Sequence, residues 1–144
     1  MILPICQNLI YLSINSSCRF TFTEFLTLIL ACPNLRTLRI SDAFRMTDED
    51  LTMLVMLCPH LQVFDVDYIT DTGLLALSEH CRNIHELIIG CSNITEAGIQ
   101  ELLARWHSLR ELVVSGSLLP VENTNTLSSR LRKEERGIRL YRLP

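Results

Sequence analysis

The stretch Cys81 to Trp106, CRNIHELIIGCSNITEAGIQELLARW, reads as a single turn of a repeating structure. It opens with an extended apolar segment, bends through polar residues at Cys91 to Thr95, and closes with a helix that ends at Trp106. The rest of the chain can be laid over it in register. Cys6, Cys32, Cys58 and Cys81 each open the same phrase and Trp106 opens a fifth, at spacings of 26, 26, 23 and 25 residues. Self-similarity at this period is the signature of a stacked-repeat protein.

After each opener, apolar residues fall at the third, sixth and eighth positions: Leu9, Leu12, Ile14; Leu35, Leu38, Ile40; Leu61, Phe64, Val66; Ile84, Leu87, Ile89; Leu109, Leu112, Val114. The last two of each set are spaced like one face of a short strand. Eleven residues before the next opener stands a threonine, Thr21, Thr47, Thr70 or Thr95. Its hydroxyl can cap the free N–H groups that begin a helix. Leu51, Leu54, Val55 and Cys58, like Leu74, Leu77 and Cys81, then keep the helical period. Asp48, Asp71 and Glu96 fall in the first turn, where negative charge favours the helix dipole. One strand–bend–helix unit cannot bury its apolar face alone, so the units must stack into a continuous core.

Two segments, YITDTGLLALSEHC (Tyr68 to Cys81) and CRNIHELIIGCSNITEAGIQEL (Cys81 to Leu102), follow almost position for position the pattern C-x-x-L-x-x-L-x-L-x-x-C followed by I-T-D-x-G-L-x-x-L. The chain thus resembles the cysteine-containing class of leucine-rich repeat over about residues 1 to 116. The first repeat departs from the pattern, with Phe22 and Phe25 at the Asp and Leu positions. The resemblance implies an α/β leucine-rich-repeat solenoid, a curved stack with parallel strands inside and helices outside. About four and a half units fill residues 1–116, and 117–144 form an irregular C-terminal capping segment. There Pro120 and Glu122 to Thr126 read as a loop, Thr126 to Glu135 as a short helix ended by Gly137, and Ile138 to Leu143 as a last strand.

Charge is unevenly distributed. Residues 1 to 129 carry seven basic and fourteen acidic side chains, whereas 130 to 144 carry six and two. An acidic body does not suit phosphate neutralisation, which argues against nucleic-acid binding. The basic tail, Arg130 to Arg142, either caps the open edge of the solenoid or docks a partner. The apolar runs Phe25 to Cys32 and Leu51 to Cys58 are far shorter than a membrane span. The start, MILPICQNL, lacks a basic n-region and a long apolar core, so an intracellular address is expected. Met1 stands almost at an opener, leaving little to cover the core beneath Leu9 and Leu12. Exposed apolar surface is expected there, as for a part of a larger protein or one that stacks on something else.

Of the six cysteines, four recur at the repeat period, as buried fillers of a stack would. Zinc binding lacks paired ligand spacing, since His80, Cys81, His85 and Cys91 form no recognised motif. A nucleophilic thiol would require an activating histidine, and Cys91, at the bend, is the more accessible candidate. His60, His80, His85 and His107 fall near openers, as junction residues. No phosphate loop, G-x-S-x-G or H-E-x-x-H occurs. The chain is therefore expected to be no enzyme and to need no cofactor.

The surface best placed for function is the strand face opposite the core, at the fifth, seventh and ninth positions after each opener. It gathers Arg39, Val63, Asp65, Asp67, Glu86, Ile88, Glu111 and Val113. Asp65, Asp67, Glu86 and Glu111 would form an acidic patch interleaved with the exposed apolar residues Val63, Ile88 and Val113. A basic segment of a protein partner fits such a patch. Repeats of this class are typical of F-box proteins with leucine-rich repeats, the substrate receptors of SCF-type ubiquitin ligases. The resemblance implies the substrate-binding part of such a receptor. No F-box is visible in the chain, so a cullin-ligase adaptor would be engaged only through an F-box upstream. The alternative is a leucine-rich scaffold or inhibitor whose partner lies outside the ubiquitin pathway.

Overall fold

The computed structural model describes residues 6–15, 18–41, 45–90 and 93–115, together with the backbone of 139–143. The elements in chain order are β1 (Tyr11–Asn15), α1 (Phe22–Leu30), β2 (Thr37–Ser41), α2 (Asp48–Met56), β3 (Val63–Asp67), α3 (Asp71–His80), β4 (Glu86–Gly90), α4 (Glu96–Arg105), β5 (Glu111–Ser115) and β6 (Arg139–Leu143). The six strands form one parallel sheet in the order β1 to β6. From β1 to β5 each strand begins five residues after its opener, and equal positions pair across the sheet. Leu12 faces Leu38, Leu38 faces Phe64, Phe64 faces Leu87, and Leu87 faces Leu112. The protein is a leucine-rich-repeat solenoid with a parallel sheet on one side and helices on the other. The strand expected over Ile138 to Leu143 is present as β6, paired with β5. The loop, the Thr126 to Glu135 helix and Cys91 lie outside the described residues.

The core follows the repeat. Leu35, Leu61, Ile84 and Leu109, with Leu38, Phe64, Leu87 and Leu112, are fully or almost fully buried. From the helices come Phe25, Leu51, Leu74 and Ile99, all 0% exposed. Phe25 thus fills the place that leucine or isoleucine takes in α2 to α4, and α1 forms despite its departure from the pattern. The first repeat is less covered, because Leu9 and Leu12 are only partly buried and Ile10 and Tyr11 are more than half exposed.

Cys32, Cys58 and Cys81 are buried in a column that ends at Trp106. The Cys81 thiol donates to the Val55 carbonyl at 3.6 Å. Burial pushes the Cys58 and Cys81 thiols up to about 12 and Cys32 up to about 11. Thiols held so firmly protonated are poor nucleophiles, which fits packing rather than chemistry. Polar side chains two residues beyond the openers tie successive turns together. Asn34 Nδ2 donates to the Gln7 carbonyl at 2.8 Å, and Ser108 Oγ donates to the Arg82 carbonyl at 2.6 Å.

The threonines Thr21, Thr47, Thr70 and Thr95 are the N-caps of the four helices, each accepting a backbone N–H through its side chain. What satisfies the threonine's own N–H differs along the stack. In α1 and α2 it donates into the same helix, from Thr21 to Glu24 Oε2 at 2.8 Å and from Thr47 to Asp50 Oδ2 at 2.9 Å. In α3 and α4 it donates to the preceding repeat. Thr70 N–H meets Asp48 Oδ1 at 3.4 Å, and Thr95 N–H meets Asp71 Oδ1 at 2.9 Å. The Thr70 and Thr95 hydroxyls donate to the second oxygens of the same carboxylates, each at 2.5 Å. Glycine makes room for this. A Cβ at Gly73 would lie 2.7 Å from Asp48 Oδ1, and one at Gly98 would strike the Asp71 carboxylate. The aspartates read from sequence as partners of the helix dipole are therefore also bolts between repeats.

Candidate functional site

The alternation within each strand, one residue to the core and the next to the opposite face, sets the side chains of the concave surface. Arg39, Asp65, Ile88 and Val113 fall in one cross-strand row, and Val63, Glu86 and Glu111 in the row beside it. The fold thus brings all the sequence-predicted site residues onto one face, with Asp67 at the far end of β3. Val63, Asp65, Asp67, Glu86, Ile88 and Glu111 are half-buried.

Three details refine the expectation of an acidic patch interleaved with exposed apolar residues. First, the patch holds its own cation. Arg39 Nη1 is 3.7 Å from Asp65 Oδ2, and Arg39 Nη2 is 3.9 Å from Glu86 Oε1, so one guanidinium spans from β2 to carboxylates on β3 and β4. Even so, Asp65 is held above the usual aspartate range. Burial is the main cause and outweighs the lowering effect of Arg39, while Asp67 and Glu86 add to the rise. Second, Asp67 lies over Gly90 rather than standing free, and a Cβ at Gly90 would strike its carboxylate. Third, Val113 points to the expected face but is only 9% exposed. It is a short side chain on an interior strand, with Ile88 on one side in the register and the β6 backbone at Tyr141 on the other. The accessible apolar residues are therefore Val63 and Ile88.

One rim feature was not anticipated from sequence. Tyr68 has φ 62°, a left-handed conformation that is rare outside glycine. Its N–H donates to the Gly90 carbonyl at 3.0 Å, and Arg45 lies 5.9 Å from its ring centroid. The cause is length. Only Tyr68 and Ile69 separate β3 from the cap of α3, so the chain must turn sharply at once. The signal was the short spacing of 23 between Cys58 and Cys81.

Elsewhere, a cavity of about 420 Å³ opens at the C-terminal ends of α3 and α4, lined by Glu79, Arg82, Arg105, Trp106 and His107 among others. Arg105 is engaged there by Glu101 at 2.7 Å and Glu79 at 3.9 Å. His60, His80 and His107 are exposed and His85 is half-buried, all near the junctions. Among the described residues, no group of three or more His, Cys, Asp or Glu side chains comes together as a metal site. No described helix is long and apolar enough to cross a membrane.

No family model matches the chain, and no curated protein matches it in sequence. Among solved structures it is similar to one described as Leiomodin-1 Actin-Binding Site 2, with a TM-score of 0.63 and 18% identity. That match covers 90% of this chain and 84% of the other. At this identity the likeness is one of fold, and it agrees with the solenoid read from the repeats.

Proposed function

We propose that this protein is a recognition module without catalytic activity, which receives a basic and partly apolar segment of another protein on its concave sheet face. The observation that carries the reading is the set of carboxylates at Asp65, Glu86 and Glu111 around the accessible side chains of Val63 and Ile88. A partner cation would be steered by the carboxylates and anchored by the apolar contacts. A further proposal comes from the repeat class itself, that the chain is the substrate-binding part of an F-box ligase receptor and reaches the cullin adaptor through an F-box elsewhere. The alternative is a scaffold or inhibitor outside the ubiquitin pathway. It is favoured by the likeness to a structure whose description names actin binding.

Affinity purification with this chain as bait, scored for cullin-ligase subunits beside other proteins, separates the two. Recovery of ligase subunits supports the receptor reading. Recovery of partners alone favours the scaffold. The face itself is tested by Glu86→Lys with Glu111→Lys, which is expected to weaken any recovered partner about tenfold or more. Undiminished binding by a folded double variant would overturn the concave-face reading.

A further inference from the structure

We infer that Arg39 sets the cation affinity of the concave face by serving as its built-in counter-ion, which a basic side chain of the partner must displace from Asp65 and Glu86. The inference rests on the concave-face reading above and adds a specificity-determining residue to it.

Arg39 on β2 stands directly beside Asp65 on β3, and its guanidinium also reaches toward Glu86 on β4. At 3.7 and 3.9 Å both contacts are longer than a charged hydrogen bond, so Arg39 attracts the two carboxylates without fork geometry to either. Its side chain is 36% exposed, which leaves it free to swing away, whereas Asp65 is 16% exposed and cannot follow. Among the strand residues of this face within 6–115, Arg39 is the one cation against Asp65, Asp67, Glu86 and Glu111, and β6 sets Arg139 beside Glu111 in the register. Glu86 is paired in the register with Glu111, and like charges directly opposite disfavour one another. The strands of this face thus carry two cations, Arg39 and Arg139, against four carboxylates, and only Arg39 is in reach of Asp65 and Glu86 in the described side chains. Burial holds Asp65 toward protonation even with Arg39 beside it, a sign of incomplete compensation. An incoming arginine or lysine that hydrogen-bonds these oxygens directly offers what Arg39 does not. Arg39 then acts as a threshold, because weak cations lose the competition and well-seated ones win it.

The test is a fluorescence-anisotropy titration of the full chain with a fluorescein-labelled octa-arginine peptide at low salt. Arg39→Gln and Arg39→Met are expected to bind the peptide about 3- to 10-fold more tightly than the parent, and Arg39→Lys to stay within about twofold of it. Unchanged or weaker binding by the neutral variants would overturn the role of Arg39. Glu86→Gln with Glu111→Gln tests the face itself, since unaltered peptide affinity there would sink the concave-face reading rather than the role of Arg39 alone. Should the neutral variants fold poorly, the parent still decides the matter. The Arg39 side-chain Nε–H resonance is expected to shift as peptide is added, and a resonance that stays in place at saturation counts against displacement.

Discussion

Helices α1 and α2 close their own N-termini, whereas α3 and α4 borrow closure from the repeat before them. The difference lies in one position, three residues after the capping threonine. Where an acid stands there, Glu24 or Asp50, it accepts the threonine N–H within the helix. Where glycine stands there, Gly73 or Gly98, that N–H is met by Asp48 or Asp71 from the preceding turn. The same orphan donor is satisfied in both cases, yet only the second solution couples neighbouring repeats. The first half of the solenoid is built from locally complete helices, and the second half from helices whose ends are completed by stacking.

The sharpest way to break this contrast is Gly98→Ala. In an ordinary helix interior the change would stabilise by about 1 kcal/mol. Here the new methyl displaces Asp71 from Thr95, and a net loss of about 1–3 kcal/mol in urea unfolding is expected. In an Asp71→Ala background the obstruction is gone, so the same substitution should become neutral or stabilising. A Gly98→Ala that stabilises the parent would show that the bolt contributes nothing. Glu24→Ala should have a smaller effect confined to one helix. Its expected readout is faster amide exchange in α1, with α3 and α4 unchanged and the midpoint of global unfolding moved less than by Gly98→Ala.

The smallest effect concerns pH, and it runs in opposite directions in the two halves. The backbone and hydroxyl of Thr21 hold Glu24 below its ordinary value, so its contribution is present at neutral pH and fades as pH falls through the folded value. Asp65 is held above its ordinary value of 3.8, so the native state takes up its proton first. Its ionisation opposes folding at neutral pH, and stability is regained as pH falls through the folded value toward 3.8. Comparison of thermal midpoints across the acid range should show that Asp65→Asn removes this gain while Glu24→Gln removes the opposing loss. An Asp65→Asn profile parallel to that of the parent would contradict the assignment.

Much of this architecture was legible in the sequence because repetition supplies an internal standard. The openers Cys6 to Trp106 located strands β1 to β5, and the threonines located the starts of α1 to α4, since the same physical problem recurs in every turn. The face on which Arg39, Asp65 and Glu86 stand was equally legible from alternation. Their pairing was not, because it depends on how far an arginine side chain leans across neighbouring strands. The dual use of Asp48 and Asp71 escaped for a related reason. Their position at a helix start is a local property, while their bonds to Thr70 and Thr95 exist only once the turns are stacked. Gly73 and Gly98 carried a clue, for glycine near a helix start has little local reason to be there. Val113 shows the limit of alternation, which gives direction but not exposure.

The cysteine column has a consequence of another kind. A one-dimensional array has no single centre whose loss dissolves the whole, and it frays from its ends inward. Cys32, Cys58 and Cys81 are each buried in the stacked array, Cys81 against the Val55 carbonyl of the turn before it, and each is inert while its turn is seated. When a turn lifts, its thiol meets water and regains ordinary reactivity. The column thus works as a tally of opening, in which the sulfurs exposed at any moment record how many turns have come undone and from which end.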